Sequence, residues 1–105
     1  MNETSERALR WVARYYGWHE CRRVQSTIEG GVYDIIPRFD QNRRRKPFTG
    51  YEVRFVRMRC DDLEVEDNPD YAYEADIRIV KADVQSEAEA RAIAQADFST
   101  ARGDR

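Results

Sequence analysis

The sequence predicts an α+β domain, a four-stranded antiparallel meander flanked by an N-terminal and a C-terminal helix in the order α-β-β-β-β-α. Three observations carry this expectation. Two stretches, Tyr51 to Cys60 and Tyr73 to Val84, alternate apolar and polar residues with the two-residue period of a half-buried strand. Glu29-Gly30-Gly31-Val32 separates two shorter runs of the same kind, and paired glycines accept the positive φ angles of a tight hairpin. Ser86-Glu87-Ala88-Glu89 has the spacing of a capping box, and Ala90, Ile93, Ala94 and Phe98 follow at helical spacing.

The central pair of strands predicts its own register. With Val56 opposite Ile77 in an antiparallel pair, Val53 meets Val80, Met58 meets Ala75 and Cys60 meets Tyr73. Arg57 then faces Asp76, Arg59 faces Glu74 and Glu52 faces Lys81. A slip of one residue would send each apolar set to the wrong face, so this agreement favours one alignment. Only Phe55 with Arg78 and Arg54 with Ile79 are mismatched. They fall where both strands change phase: Tyr51, Val53 and Phe55 give way to Val56, Met58 and Cys60. Such a change predicts a twisted hairpin that buries different faces at its two ends, or one that carries a bulge in each strand.

The remaining elements follow in order. Thr4 or Ser5 can cap a first helix whose face is Leu9, Val12, Ala13 and Tyr16, with Gly17 ending it. Trp18 to Ile28 forms the first strand and Val32 to Phe39 the second, with Tyr33, Ile35 and Phe39 on one side. Pro37 lacks an amide hydrogen and so marks a bulge, a strand end or an edge-facing position. Asp40 to Gly50 is expected to be an exposed, mobile loop and Asp61 to Asp70 an acidic connection turning at Asn68-Pro69-Asp70. One domain is expected over residues 1–98, with residues 99–105 as a frayed tail.

Composition narrows the function. The 105 residues suffice for a single modest core, and the 36% of charged residues suits a well-solvated domain. No apolar run approaches the roughly 18 to 20 residues of a membrane span, and the first residues lack the pattern of a secretory signal, so a cytoplasmic location is expected. Cys21 and Cys60 make neither a disulfide framework nor a metal site and read as small apolar strand residues. His19 has no nucleophile at meaningful spacing. No catalytic set, metal or cofactor is therefore expected.

The net charge of −2 conceals a separation. Arg38 to Arg59 holds eight basic and two acidic residues, whereas Asp61 to Asp76 holds eight acidic residues and no basic one. The basic loop Arg43, Arg44, Arg45 and Lys46, with Phe48 and Tyr51, and the acidic loop Asp61, Asp62, Glu64, Glu66 and Asp67 are the expected partner-binding surfaces. Trp11 and Trp18 belong to an aromatic group expected to supply affinity. A protein partner with a charged surface is the leading expectation. Nucleic acid held by residues 43–46 through phosphate contact and base stacking is the alternative.

Two resemblances bear on this. Tyr73 to Phe98, a strand running into a capped helix through Ala82-Asp83-Val84-Gln85-Ser86-Glu87-Ala88-Glu89-Ala90, resembles a unit of small accessory proteins of phages and mobile elements. The resemblance implies a non-enzymatic inhibitor of the anti-CRISPR or anti-defence type, acting by occupying a partner's surface. Gly31-Val32-Tyr33-Asp34 followed by Glu52-Val53-Arg54, with Tyr16-Gly17-Trp18 ahead and Glu6 on the preceding helix, resembles the restriction-endonuclease-like nuclease core. It implies that Asp34 and Glu52 hold a divalent metal, with Arg54 standing where that family keeps lysine. Read from the residues alone, Asp34 and Glu52 are ordinary outward strand carboxylates.

Overall fold

The computed structural model of the protein describes residues 8–16, 21–59 and 69–103. Among them are five strands, β1 (Val12–Tyr16), β2 (Cys21–Ile28), β3 (Gly31–Phe39), β4 (Phe48–Arg57) and β5 (Ile77–Val84), then one helix, α1 (Glu87–Gly103). The strands form one antiparallel sheet in the order β1-β2-β3-β4-β5, so each pairs with its neighbour in sequence. The α+β class and the antiparallel meander hold. The count of four strands and the N-terminal helix do not.

The correction at the N-terminus has a physical cause. Val12 to Tyr16 lies in register with Gln25 to Cys21, where its backbone amides and carbonyls gain ladder partners. The helical stripe expected there was not a buried face, since Val12 is 54% exposed. Leu9 ahead of it is buried, and its backbone N–H donates to Gln95 Oε1 of α1 at 2.8 Å. Gly17 and Trp18, expected to end the helix and start the first strand, lie outside the described residues.

The β2–β3 turn is shifted by one residue from the expected one. Ile28 pairs with Gly31, leaving Glu29 and Gly30 as the loop, and Gly30 takes the positive φ of 89°. Gly31 is in the strand for a different reason. A Cβ there would run into the Phe55 ring (2.7 Å from Cε1) and lie 2.7 Å from the Val56 carbonyl oxygen. The ring can give way but the backbone cannot, so Gly31→Ala is expected to cost about 1–3 kcal/mol, the usual penalty of overpacking. The midpoint of urea unfolding measures it, and an unchanged midpoint would contradict the packing described.

The central register holds over three pairs, the anchoring one and the two mismatched ones. Val56 faces Ile77, Phe55 faces Arg78 and Arg54 faces Ile79. Beyond that the alignment shifts twice, to Val53 with Lys81 and Tyr51 with Val84, so both irregularities add a residue to β5 and neither adds one to β4. The expected pairs Val53 with Val80 and Glu52 with Lys81 are therefore corrected. Asp83, in the second irregular stretch, has a φ of 59°. Ahead of Ile77 the chain leaves the ladder as a 3-10 turn at Glu74–Asp76 and an earlier one at Pro69–Tyr71. Arg57 still reaches Asp76 (3.4 Å), but Arg59 pairs with Asp76 (2.8 Å) in place of Glu74.

The two faces of the sheet are covered differently, which explains the phase change in β4. Helix α1 covers one face, where Val24, Tyr33, Ile35, Val53 and Val84 pack against Ala90, Ala94 and Phe98. The alanines let the helix lie close, and the Glu89 N–H donates to Ser86 Oγ (3.1 Å) as the capping serine requires. On the opposite face Val32 and Val56 pack with Met58, Ala72 and Ile77 beneath the segment that leads into β5. The helix continues to Gly103. No helix among the described residues is long and apolar enough to cross a membrane.

Candidate functional site

The β3–β4 hairpin extends past β2, whose ladder with β3 ends at Val24 opposite Ile35. Pro37 lies beyond that ladder, opposite Tyr51 of β4, so its missing amide hydrogen leaves no gap toward β2. The register shifts between Arg38 and Phe39, and the loop then closes on itself. Asp40 N–H donates to the Pro47 carbonyl (2.9 Å), Lys46 N–H to the Arg43 carbonyl (3.0 Å) and Asn42 N–H to Asp40 Oδ1 (3.0 Å). The stretch expected to be mobile thus has a defined turn, with Lys46 at a φ of 47°.

Four of the eight basic residues between Arg38 and Arg59 are ion-paired with carboxylates of the scaffold. Arg38 and Arg54 both pair with Glu52, Arg54 also approaches Asp70 (3.6 Å), and Arg57 and Arg59 share Asp76. Arg43, Arg44, Arg45 and Lys46 remain, all exposed, with no acidic partner among the described residues. Phe39 and Phe48 bracket the loop with ring centroids 5.9 Å apart, and Phe48 meets Tyr51 at 4.9 Å. Phe39 and Phe48 are 41% and 44% exposed. The tip is thus cationic and its base aromatic.

On the helix side of that base lies a hollow of about 330 Å³. Val24, Ile35, Pro37, Phe39 and Tyr51 line it, with Arg22 and Glu87 at its edge. Glu87 accepts hydrogen bonds from Arg22 and from Arg91 (2.6 Å), and the Arg22 bond is the main cause of its lowered pKa. A larger hollow of about 1100 Å³ runs along the C-terminal half of α1, bordered by Leu9, Ile28, Tyr33, Phe55 and Phe98. Buried Ser26 Oγ, which lines it, has no hydrogen-bond partner among the described residues.

The sheet face opposite α1 carries a connected polar network. Gln25 Nε2 donates to Tyr16 Oη (3.0 Å) and to Asp34 Oδ1 (3.2 Å). Arg23 donates to Asp34 Oδ2 (3.3 Å) and, through both terminal nitrogens, to the Asp70 carboxylate (3.3 and 2.9 Å). Burial pushes the Asp34 carboxyl above the usual range, against the pull of Arg23 and the Gln25 hydrogen bond. Burial acts on Glu52 in the same sense, but the hydrogen bonds from Arg54 and Arg38 outweigh it and its pKa is lowered.

Asp34 and Glu52, the carboxylates of the nuclease resemblance, are therefore each held by arginine. Asp34 faces Arg54 across the strands, while Glu52 faces Ile36. The described residues hold no group of three potential metal ligands. Glu6, the helix carboxylate of that resemblance, lies outside the described residues, and Val12–Tyr16 is a strand.

The other expected binding residues are scattered. Trp11 is half-buried against the helix-side core, and the Arg91 guanidinium lies 5.8 Å from its ring centroid. Trp18 and Asp61, Asp62, Glu64, Glu66 and Asp67 lie outside the described residues. Asp70, at the end of the acidic loop, pairs with Arg23 and Arg54 across the sheet. Sequence reasoning missed Phe39 as a loop-base aromatic, although its position just before the polar run was a usable signal.

Comparison with family models, curated proteins and solved structures finds no match.

Proposed function

We propose that the protein is a non-enzymatic binding module that docks the tip of its β3–β4 hairpin on an acidic surface of a protein partner. The observation that carries this reading is the contrast within the basic arm. Four cations there are ion-paired with Glu52, Asp70 or Asp76, while four adjacent ones at the tip have no acidic partner among the described residues. Uncompensated charge on a projecting turn speeds encounter with an opposite field and selects against like-charged surfaces.

A protein fits this distribution better than nucleic acid does. The chain has a net charge of −2 with four positive charges at the tip, so the remainder carries a surplus of six negative charges. A polyanion laid along the domain would be repelled by most of it. Helix α1 covers one sheet face, and Ala72 packs against Val32 and Val56 on the other. Occupying a partner's surface is also the mode of action implied by the resemblance to anti-defence inhibitors.

The test is capture of partners on immobilised protein, with and without nuclease treatment, repeated with Arg43, Arg44, Arg45 and Lys46 all changed to Ala. Protein capture that survives nuclease and falls about tenfold or more in the variant is expected. Capture that vanishes with nuclease would transfer the loop to nucleic acid. Capture indifferent to the four substitutions would end the reading, and an unchanged thermal midpoint ensures that folding is not the cause.

A further inference from the structure

The hollow at the base of the hairpin gives the docking arm a second, apolar element. We propose that this cup receives one large apolar side chain, aromatic or branched aliphatic, from an acidic segment of the protein partner whose carboxylates meet the hairpin tip. The inference rests on the reading of the tip as a protein-docking arm, and it specifies the partner's chemistry.

The cup is built for such an anchor. Its floor is Val24 and Ile35, both buried, and its walls are Pro37, Phe39 and Tyr51, so it offers aliphatic and aromatic surface with a rigid ring on one side. Its volume of about 330 Å³ lies at the small end of ligand pockets, which run from about 300 to 1,000 Å³, and so suits a side chain better than a cofactor. Phe39 and Tyr51 both belong to the aromatic group that brackets the loop, so the cup and the cations are parts of one surface.

The edge of the cup carries positive charge as well. Glu87 is engaged by two arginines, Arg22 and Arg91, which leaves an excess of one cation there. A partner segment that fills the cup therefore meets cations at the tip and at the edge. Acidic residues around a single apolar one satisfy both. In such an arrangement the desolvated anchor supplies most of the affinity, and the charges supply rate and orientation.

The experiment uses two synthetic peptides of equal charge, Asp-Glu-Asp-Phe-Glu-Asp-Glu and the same peptide with Ala in place of Phe. Each is titrated into the intact protein and followed by amide NMR shifts. The Phe peptide is expected to bind about tenfold tighter or more, because a buried central aromatic anchor dominates the affinity of such a contact. Its shifts are expected at Val24, Ile35 and Tyr51. Phe39→Ser, at a half-exposed strand end, is expected to reduce the preference for the Phe peptide over the Ala peptide to less than about twofold.

Equal binding of the two peptides overturns the cup and spares the docking arm. A preference that survives Phe39→Ser also overturns the cup as its seat. Failure of both peptides to bind overturns the arm together with the cup. Binding of a single-stranded oligonucleotide in their place would assign the tip to nucleic acid.

Discussion

Arg23→Met is expected to lower stability by about 3–5 kcal/mol near neutral pH, and to do less damage as the pH falls. The Asp34 side chain is fully buried, and its ionised form rests on Arg23 and on one Gln25 hydrogen bond. Methionine keeps most of the arginine's apolar bulk but leaves that carboxylate without its nearest cation. It also removes the paired hydrogen bonds that tie Asp70, and with it the segment covering this face, to β2. An unpaired buried charge, more than the pair's own attraction, is what makes such a substitution expensive.

The sign of the pH dependence follows from linkage. Burial already raises the Asp34 pKa in the folded protein, and loss of Arg23 raises it further. The folded variant then binds a proton in a window above the unfolded pKa, about 3.9, where the unfolded chain has already lost its own. Stability therefore recovers as the pH drops through the raised folded value toward the unfolded one. Urea unfolding near pH 5 and near pH 8 checks this, and equal losses at the two would show that Asp34 is not the group responsible. Arg23→Met combined with Asp34→Asn is expected to restore much of the loss, with the excess over additivity giving the coupling between the two residues.

That network was not legible in advance, although its parts were. Arg23 and Asp34 belong to neighbouring strands, and their meeting depends on the β2–β3 register, which a turn misplaced by one residue leaves undefined. The β4–β5 register was legible only at its centre, where Val56 meets Ile77 and Arg57 reaches Asp76. It failed beyond Arg54, where Val80 and Asp83 fall in irregular stretches of β5 that alternation cannot describe. Helix α1 was legible from Ser86 and the Ala90, Ile93, Ala94, Phe98 stripe because capping and burial there are local.

The N-terminal segment shows the opposite case. Leu9, Val12, Ala13 and Tyr16 have helical spacing, yet the pairing of Val12–Tyr16 with β2 prevails, and the β-branched and aromatic content of VARYY was the better guide. For the candidate site, the cations and two of the aromatics were visible as a run. The cup was not, because Arg22, Val24, Ile35 and Glu87 come from three separate elements that only the folded sheet and helix bring together.

Tyr33→Ala is expected to cost about 3–5 kcal/mol, and its comparison with Tyr33→Phe separates two contributions from one side chain. Tyr33 is 2% exposed, its ring lies 4.9 Å from the Phe55 ring and meets Phe98 edge-on at 6.4 Å, so it joins β3 to both β4 and α1. Its hydroxyl donates to Asp97 Oδ2 at 2.6 Å. Asp97 is held below its ordinary pKa first by the hydrogen bond from Arg78 and also by that from Tyr33. Tyr33→Phe keeps the ring and removes only the weaker of these supports, so a loss of about 1–2 kcal/mol is expected. A depressed carboxyl contributes stability above its unfolded pKa and loses it as the pH falls through the folded value. The Phe variant should therefore differ from the parent near neutral pH and approach it in acid, as the pH falls through the lowered Asp97 value, whereas the Ala variant should remain destabilised throughout, because the missing ring does not titrate. Thermal unfolding at the two pH values distinguishes them; convergence of the Ala variant at low pH would show that the hydroxyl, and not the ring, joins the helix to the sheet.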